Sequence, residues 1–516
     1  MTSSRRRFLR GSAAVGAGVA GGFGLGGTAF AAAGSGPTVL VNNVGYDVAG
    51  PKRAIIAGTG TGKRDVPFQL VDAGTAKVVL RGTARYAEPV ADWQANHFPE
   101  IPGSYWIADF SGYATAGRYT LAAGGASSYP FRIEPALYER RTLGHVAHFF
   151  KDSRSSGQFD KADRSLPVKG STTRVDAHGG WYDAAADWGK HFTQLSNLSY
   201  FNTLSIPLTA WVLFAAHDQL NRRGDSNLAA VTAWLLDEAM YGADYLARVH
   251  PAGQSFYSSV SQPEADDLGV DPTRRTLSAH QVSYREGGGL AIAALAKAST
   301  FPVSGEYTST DYLAAATDAF DFLQANNLRI VNDGKENILD DVNVLLAATE
   351  LFKATHEPEY QQAADARARN LLGRLVTWQK YRDYWRADDA DRPFFHPSDA
   401  GLPVVSLLAY ADIADAATRT QVLAAVRRSM EFELSVTQEV TNPFGYARQL
   451  VQDGNGNRYS GFFFPHNVTP RSSDAWWQGE NARLASLATA ARLAAAGTDA
   501  AFATRLRAYA TDQLNW

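Results

Sequence analysis

Leu228-Ala-Ala-Val231-Thr-Ala-Trp-Leu235-Leu-Asp-Glu-Ala239-Met-Tyr-Gly242-Ala-Asp-Tyr-Leu246 places small or apolar residues at successive spacings of 3, 4, 4, 3 and 4. That is the period of one helix face, so the stretch predicts an α-helix packed on a core, with Ser226 as its cap. The same period returns in Ile338, Val342, Leu345, Leu346 and Phe352, and similar segments cover 137–151, 206–222, 279–299, 311–326, 358–379, 400–432 and 476–513. The pattern predicts roughly a dozen helices. Helix follows helix to the C-terminus without a short internal repeat, which argues against a solenoid and for one large closed α domain.

Upstream of Pro135 the period changes. Thr38–Asn42, Arg53–Ala57, Phe68–Val71, Lys77–Leu80, Tyr105–Ala108 and Arg118–Ala122 are short, rich in β-branched or aromatic residues, and separated by Gly, Pro, Asn and Asp. Such runs predict a small antiparallel β-sandwich over 34–135, followed by the α domain over 136–516. Composition agrees with a globular chain: of 516 residues 45% are hydrophobic and 20% charged, with a formal charge of -3. That balance excludes a nucleic-acid-binding basic excess and an acidic tail. Cysteine is absent, which rules out disulfides, thiolate zinc sites and a Cys nucleophile.

The first residues read Ser4-Arg5-Arg6-Arg7-Phe8-Leu9-Arg10, followed by an uncharged run from Gly11 to Tyr46. Paired arginines, a weakly apolar stretch with 8 Gly and 8 Ala between Gly11 and Ala33, and Ala29-Phe30-Ala31 as a small-x-small site look like a twin-arginine signal peptide over 1–33. The expectation is export to the outside, with no membrane association after cleavage. Cleavage removes four arginines and no acid, so the formal charge of the mature chain falls from -3 to -7.

Chemistry concentrates in two places. In His178-Gly-Gly-Trp181-Tyr182-Asp183-Ala-Ala-Ala-Asp187-Trp188-Gly189-Lys190-His191, two carboxylates lie four residues apart among glycines and aromatics. A helical turn would put both acids on one face, and a glycine-rich loop could aim both at one point. A close acid pair suits a general base that must also orient a water; the alternative is a solvated acidic turn. The second place joins Asn442–Tyr446, Phe462–Asn467 and Trp476-Trp477-Gln-Gly-Glu480-Asn481. Glu480 opens a helix whose apolar Leu484, Leu487, Ala488 and Ala491 fall at i+4, i+7, i+8 and i+11, so the acid shares the inward face. Beside two tryptophans it is expected to lose solvation and act as a general acid; the alternative is a first-turn acid complementing the helix dipole. An acid, a base pair and aromatic platforms are the equipment of glycoside hydrolysis.

Gly179-Gly-Trp-Tyr-Asp183 through Asp187 and Lys190, the Pro465-His466 element and Glu480 resemble family-9 glycoside hydrolases, mostly cellulases with an (α/α)6 barrel and an inverting mechanism. Residues 34–135 resemble the immunoglobulin-like domain that often precedes that barrel, with Val41-Asn-Asn-Val-Gly-Tyr46 similar to its opening strand. The resemblance implies Asp187 as base, Asp183 as its partner on the nucleophilic water, Glu480 as acid and His466 as a sugar contact. Two departures stand out. The family's acids are usually three apart rather than four, and its Pro-His-His-Arg stretch is here Pro465-His466-Asn467-Val468, leaving Arg448 or Arg471 as substitutes.

The remaining motifs are less specific. Trp385-Arg386 with Phe394-Phe395-His396-Pro-Ser-Asp399 reads either as a cleft lining or as a loop anchor. Tyr284-Arg285-Glu286-Gly-Gly-Gly289 follows no strand, so it is no phosphate loop but a buried ion pair or a cleft contact. Asn332–Asn337 fails the EF-hand spacing, and His145 and His148 have no third ligand nearby. No cofactor and no catalytic metal are expected, and a structural calcium stays open. The combined expectation is a secreted, monomeric, inverting hydrolase of a β-1,4-linked glucan. Asp187, Asp183 and Glu480 are its catalytic residues, and Trp181, Tyr182, Trp385, His466 and Trp476 its substrate contacts. The rivals are an exo-acting β-glucosaminidase or oligosaccharide hydrolase on the same fold, and a non-catalytic glycan-binding protein.

Overall fold

The computed structural model describes residues 36–58, 62–90, 104–184, 187–193, 204–263, 265–266, 269–396, 398–462 and 480–515. The proposed signal segment 1–33, His466, Trp476 and Trp477 lie outside these. Residues 37–516 form one compact unit.

Among the described residues nine strands come first: β1 Thr38–Leu40, β2 Tyr46–Asp47, β3 Arg53–Gly58, β4 Val66–Asp72, β5 Val78–Ala87, β6 Ser104–Asp109, β7 Gly117–Ala123, β8 Ala126–Ser127 and β9 Phe131–Glu134. Their order is β1-β3-β6-β5-β4-β7-β9-β2, with β8 on β7. All pairs are antiparallel except β2 with β9. β5 pairs with β4 through Val78–Ala84 and with β6 through Arg85–Ala87, so this one strand serves both layers. Alternate residues Ala54, Ile56, Phe68, Leu70, Trp106, Ala108, Leu121 and Ile133 fill the sandwich core, the period-2 signature of a half-buried strand. Ile55 and Tyr105 point the other way and join the larger core of the helical part. β3 is therefore covered on both faces, which explains its unbroken apolar run.

The opening strand turns on two residues. Asn42 Oδ1 accepts from Val44 N (2.8 Å) and Gly45 N (3.2 Å), an Asx-turn. Gly45 has φ 116° and a side chain there would run into the carbonyl of Arg132, so only glycine fits.

Twelve α-helices follow among the described residues: α1 Leu137–Asp152, α2 Gly157–Asp163, α3 Ile206–Arg223, α4 Ala229–Arg248, α5 Gly288–Ala298, α6 Ser309–Ile330, α7 Ile338–Thr355, α8 Pro358–Leu372, α9 Leu402–Ala411, α10 Ala416–Thr437, α11 Glu480–Ala494 and α12 Ala500–Asn515. α3 packs on α5, α5 on α7, α7 on α9 and α9 on α11, each contact skipping one helix in sequence. The skipped α4, α6, α8 and α10 therefore lie outside, in the (α/α)6 barrel. Burial follows position: α5 and α7 are buried nearly all round, as inner helices must be, whereas α8 buries only Tyr360, Ala364, Ala368 and Leu371. Residues 164–205 lead into inner helix α3, and Glu480 opens inner helix α11.

Several expectations need correction. Ser226 does not cap α4; it lies in a 3-10 turn whose cap is Asp225, accepting from Asn227 N. The helix expected through 379 stops at Gly373, and Leu375–Trp378 pairs with Tyr381–Trp385 as a hairpin, because Val, Thr and Trp favour the pleated surface. Residues 279–287 are loop and 3-10 turn rather than helix, closed by Gly287 at φ 100°. The segment 400–432 is two helices, the second capped by Asp415.

Candidate active site

The loop between α2 and α3 holds the acid pair. Asp183 N donates to Gly189 O (3.1 Å) and Asp187 N to Ala184 O (3.0 Å), so the pair sits on a tight loop rather than on one helical face. Gly180 adopts φ 72°, and a Cβ there would stand 2.9 Å from the Tyr245 ring. Behind the loop lies a buried cation. Lys190 Nζ donates to Ala177 O (2.6 Å) and Gly179 O (2.8 Å) and pairs with Asp163 (2.7 Å). Both side chains are fully buried. Burial lowers the Lys190 ammonium to about 8, against the pull of Asp163. Burial likewise pushes the Asp163 carboxyl up, with Lys190 and Arg275 opposing. Arg275 pairs with Asp163 (3.2 Å) and donates to Trp188 O (2.8 Å). One ionic triad therefore grips the loop on both sides of the acids.

The carboxylates have different neighbours. Asp187 Oδ1 accepts from Gly189 N (3.1 Å) and from Gln262 Nε2, while Gln262 Oε1 accepts from Trp188 N (3.1 Å). The Asp183 side chain is 6% exposed, and its Oδ2 lies 2.9 Å from His191 Nδ1. That contact has ion-pair distance but not hydrogen-bond alignment, and Oδ2 receives no aligned hydrogen bond.

Glu480 stands at the first turn of α11 with its side chain 27% exposed. Its Oε1 accepts from Tyr446 Oη (2.7 Å) and Arg483 Nη2 (2.5 Å), and its Oε2 from Arg483 Nε (3.2 Å). The expected desolvated carboxyl is thus an ion-paired one. The buried Arg483 is held above its ordinary range because Glu480 outweighs the opposing cost of burial. Burial, and then Glu480, push the Tyr446 hydroxyl up. Sequence inspection missed Arg483, although it shares the Glu480 face at i+3.

Two expected sugar contacts are core residues. Trp181 is 4% exposed, donates to Glu238 Oε2 (3.3 Å) and packs against Phe150 and Tyr241. Trp385 is 6% exposed, paired with Leu375 in the hairpin. Their large apolar area is used on packing rather than offered to a ligand. Tyr182 is half-buried, its hydroxyl accepting from Ser156 N (3.0 Å). Trp188 stacks on Phe159 with centroids 5.0 Å apart. Arg285 and Glu286 do not pair with each other: Arg285 reaches Asn332 and Asp333, and Glu286 closes a capping box with Ser283. A large apolar cavity among α3, α7, α9 and α11, lined by Leu208, Trp211, Leu402 and Leu408, contains neither acid pair nor Glu480. Among the described residues no three His, Asp or Glu side chains are grouped to hold a metal ion.

The chain matches two family models: "Cellulase N-terminal ig-like domain" over residues 34–128 and "Glycosyl hydrolase family 9" over 140–516. It is a glycoside hydrolase. It belongs to glycosyl hydrolase family 9. Endoglucanase C of Cellulomonas fimi is 32% identical over 188 residues, which are 30% of this chain and 16% of that protein. The chain thus spans only a small part of that curated relative. Among solved structures, a metagenome-derived glycoside hydrolase family 9 endoglucanase shares the fold at TM-score 0.62 and 22% identity, covering 93% of this chain and 83% of the other. AaCel9A in complex with cellobiose-like isofagomine superimposes at TM-score 0.59 and 19% identity, covering 92% and 81%.

Proposed function

We propose that this chain cleaves β-1,4-linked glucan with inversion, by general acid/base catalysis. Glu480 protonates the leaving glycosidic oxygen. Asp187 removes the proton from a water that Asp183 helps to hold, and that water attacks the anomeric carbon from the opposite face, so a β-linkage yields an α-anomer. The carrying observation is the acid pair itself: two carboxylates on one glycine-rich loop, clamped from behind by the Lys190–Asp163–Arg275 triad and from the side by Gln262. Such support keeps a base within reach of its water, which is where positioning contributes to rate. Glu480 answers it at the start of an inner helix. Because Arg483 holds Glu480 as a carboxylate, the Arg483 contact must loosen and Glu480 must take up a proton from solvent before it can pass that proton to the glycosidic oxygen. The endoglucanase names of its relatives support a glucan as substrate.

In this reading residues 1–33 are an export signal, 34–135 the immunoglobulin-like domain and 136–516 the catalytic domain. The mature enzyme works as a secreted monomer on a polysaccharide or oligosaccharide, without a cofactor. Tyr182, Trp476 and His466 contact sugar.

Product analysis by NMR on cello-, mixed-linkage and chitosan oligosaccharides tests this. The expected result is α-anomers from the cello series and loss of turnover in Glu480→Gln. Release of glucosamine alone would move the substrate to the glucosaminidase rival. Binding without cleavage by the wild type would move the protein to the glycan-binding rival.

A further inference from the structure

The sequence motif ends on His191, a residue that the acid/base scheme above leaves without a task. It sits on a two-residue strand, Lys190–His191, whose register against Ser259–Val260 sets His191 opposite Ser259. Lys190, its neighbour, is immobilised by two carbonyls and Asp163. The imidazole is therefore aimed by a fixed backbone, and it is aimed at the acids. Nδ1 lies 2.9 Å from the buried Oδ2 of Asp183. On the other side, a Cβ on Gly189 would stand 3.1 Å from Asp187 Oδ1 and 3.2 Å from His191 Nε2. Those two atoms consequently lie no farther apart than the sum of the two distances, on either side of a residue that has no side chain.

We propose that His191 is a positioning residue for the acid pair: its Nδ1 orients the Asp183 carboxylate while its Nε2 borders the small space beside Asp187. The proposal rests on the reading of Asp183 and Asp187 as the acids that hold and deprotonate water. A buried carboxylate oxygen with no aligned hydrogen bond is free to rotate unless a charged or polar neighbour selects one orientation. Among the described residues, His191 is the one basic side chain within ion-pair distance of Asp183. Gly189 contributes by leaving room, since an added methyl group would press on both the base and the imidazole.

The test is a double-mutant cycle on a soluble cello-oligosaccharide, with kcat and KM measured separately for wild type, His191→Ala, His191→Asn, Asp183→Asn and the His191→Ala/Asp183→Asn pair. Misplacing a catalytic group by about 1 Å can cost about 100-fold, and a loss up to that size is expected in kcat with KM little changed. His191→Asn is expected to regain most of it, because its amide N–H can stand where Nδ1 stood. With Asp183 already replaced, His191→Ala is expected to cost almost nothing further. A kcat within twofold of wild type in His191→Ala, or the same fractional loss in both backgrounds, overturns the proposal. If His191→Ala fails to fold, His191→Leu against Asp183→Asn closes the same cycle, because leucine fills the space without a ring nitrogen, and full additivity there is equally fatal. Asp187→Asn and Glu480→Gln run alongside: retained activity in these sinks the acid/base reading and this proposal with it, whereas their loss with an additive His191 cycle sinks the proposal alone.

Discussion

Lys190 is fully buried, yet its charge has three partners, and each of them loses a donor when it is removed. Lys190→Met is expected to lose about 3–5 kcal/mol of stability, since Asp163 would keep only Arg275 and two carbonyls would lose their donor; chemical denaturation checks it. The acids are expected to behave differently, because in the proposed mechanism they serve the reaction rather than the fold. Asp187→Asn and Glu480→Gln are each expected to lower kcat by about 10²–10⁴-fold with unchanged circular dichroism. A drop in melting temperature matching the drop in activity would show the acids to be structural. The residue types at this site were legible in the motif. The partners Gln262 and Arg275 were not, because they reach Asp187 and Asp163 from distant segments. The same long-range packing removed Trp181 and Trp385 from the expected sugar contacts.

The inner helix α7 shows how an element's start can make stability depend on pH. Asn337 caps it and Asp340 completes a capping box. Asp340 Oδ1 also accepts from Asn327 Nδ2 (3.0 Å), and Arg285 lies 3.7 Å from Oδ2. Burial raises the Asp340 carboxyl to about 6, above its ordinary 3.8, with Arg285 opposing. A raised folded value means that its contribution is fully present below about pH 4 and is lost as pH rises through about 6. That difference corresponds to a fall on the order of 3 kcal/mol. Asp340→Asn is expected to flatten the unfolding free energy between pH 4 and 6, measured by urea titration at several pH values. An unchanged slope would show that Asp340 is not its source. Periodicity revealed most such elements, and it failed where local chemistry was ambiguous: Leu375–Trp378 reads as helix by spacing and as strand by residue type, and the hairpin partner decided.

Across the whole molecule, sandwich and barrel share one apolar seam. Tyr105 meets Phe444 edge-on with centroids 5.2 Å apart, and Asn42 Nδ2 donates to Tyr138 Oη and Asn515 Oδ1 at 3.0 Å each. Arg53 of β3 pairs with Asp512 of α12 across it. Burial raises Asp512 to about 6, with Arg53 holding it down. Arg53→Met removes that restraint, so its cost is expected to be small at pH 5, where the carboxyl is neutral, and about 1–3 kcal/mol at pH 8, discounted for the partial exposure of Arg53. Thermal melts at the two pH values check the sign; equal losses at both would place the energy in packing instead. A crystal structure with a bound oligosaccharide is expected to show the Asp187 and Glu480 carboxyls about 6.5–9.5 Å apart, as inversion needs, against about 5–5.5 Å for retention.

The linear order alone determined the two fold classes and marked out the candidate acids, because hydrophobic spacing and residue type are local properties. Only tertiary packing decided which aromatics are buried, that Glu480 meets Tyr446, and that Gln262 and Arg275 hold the acid loop. Those outcomes depend on contacts between segments far apart in the chain, and spacing carries no information about them.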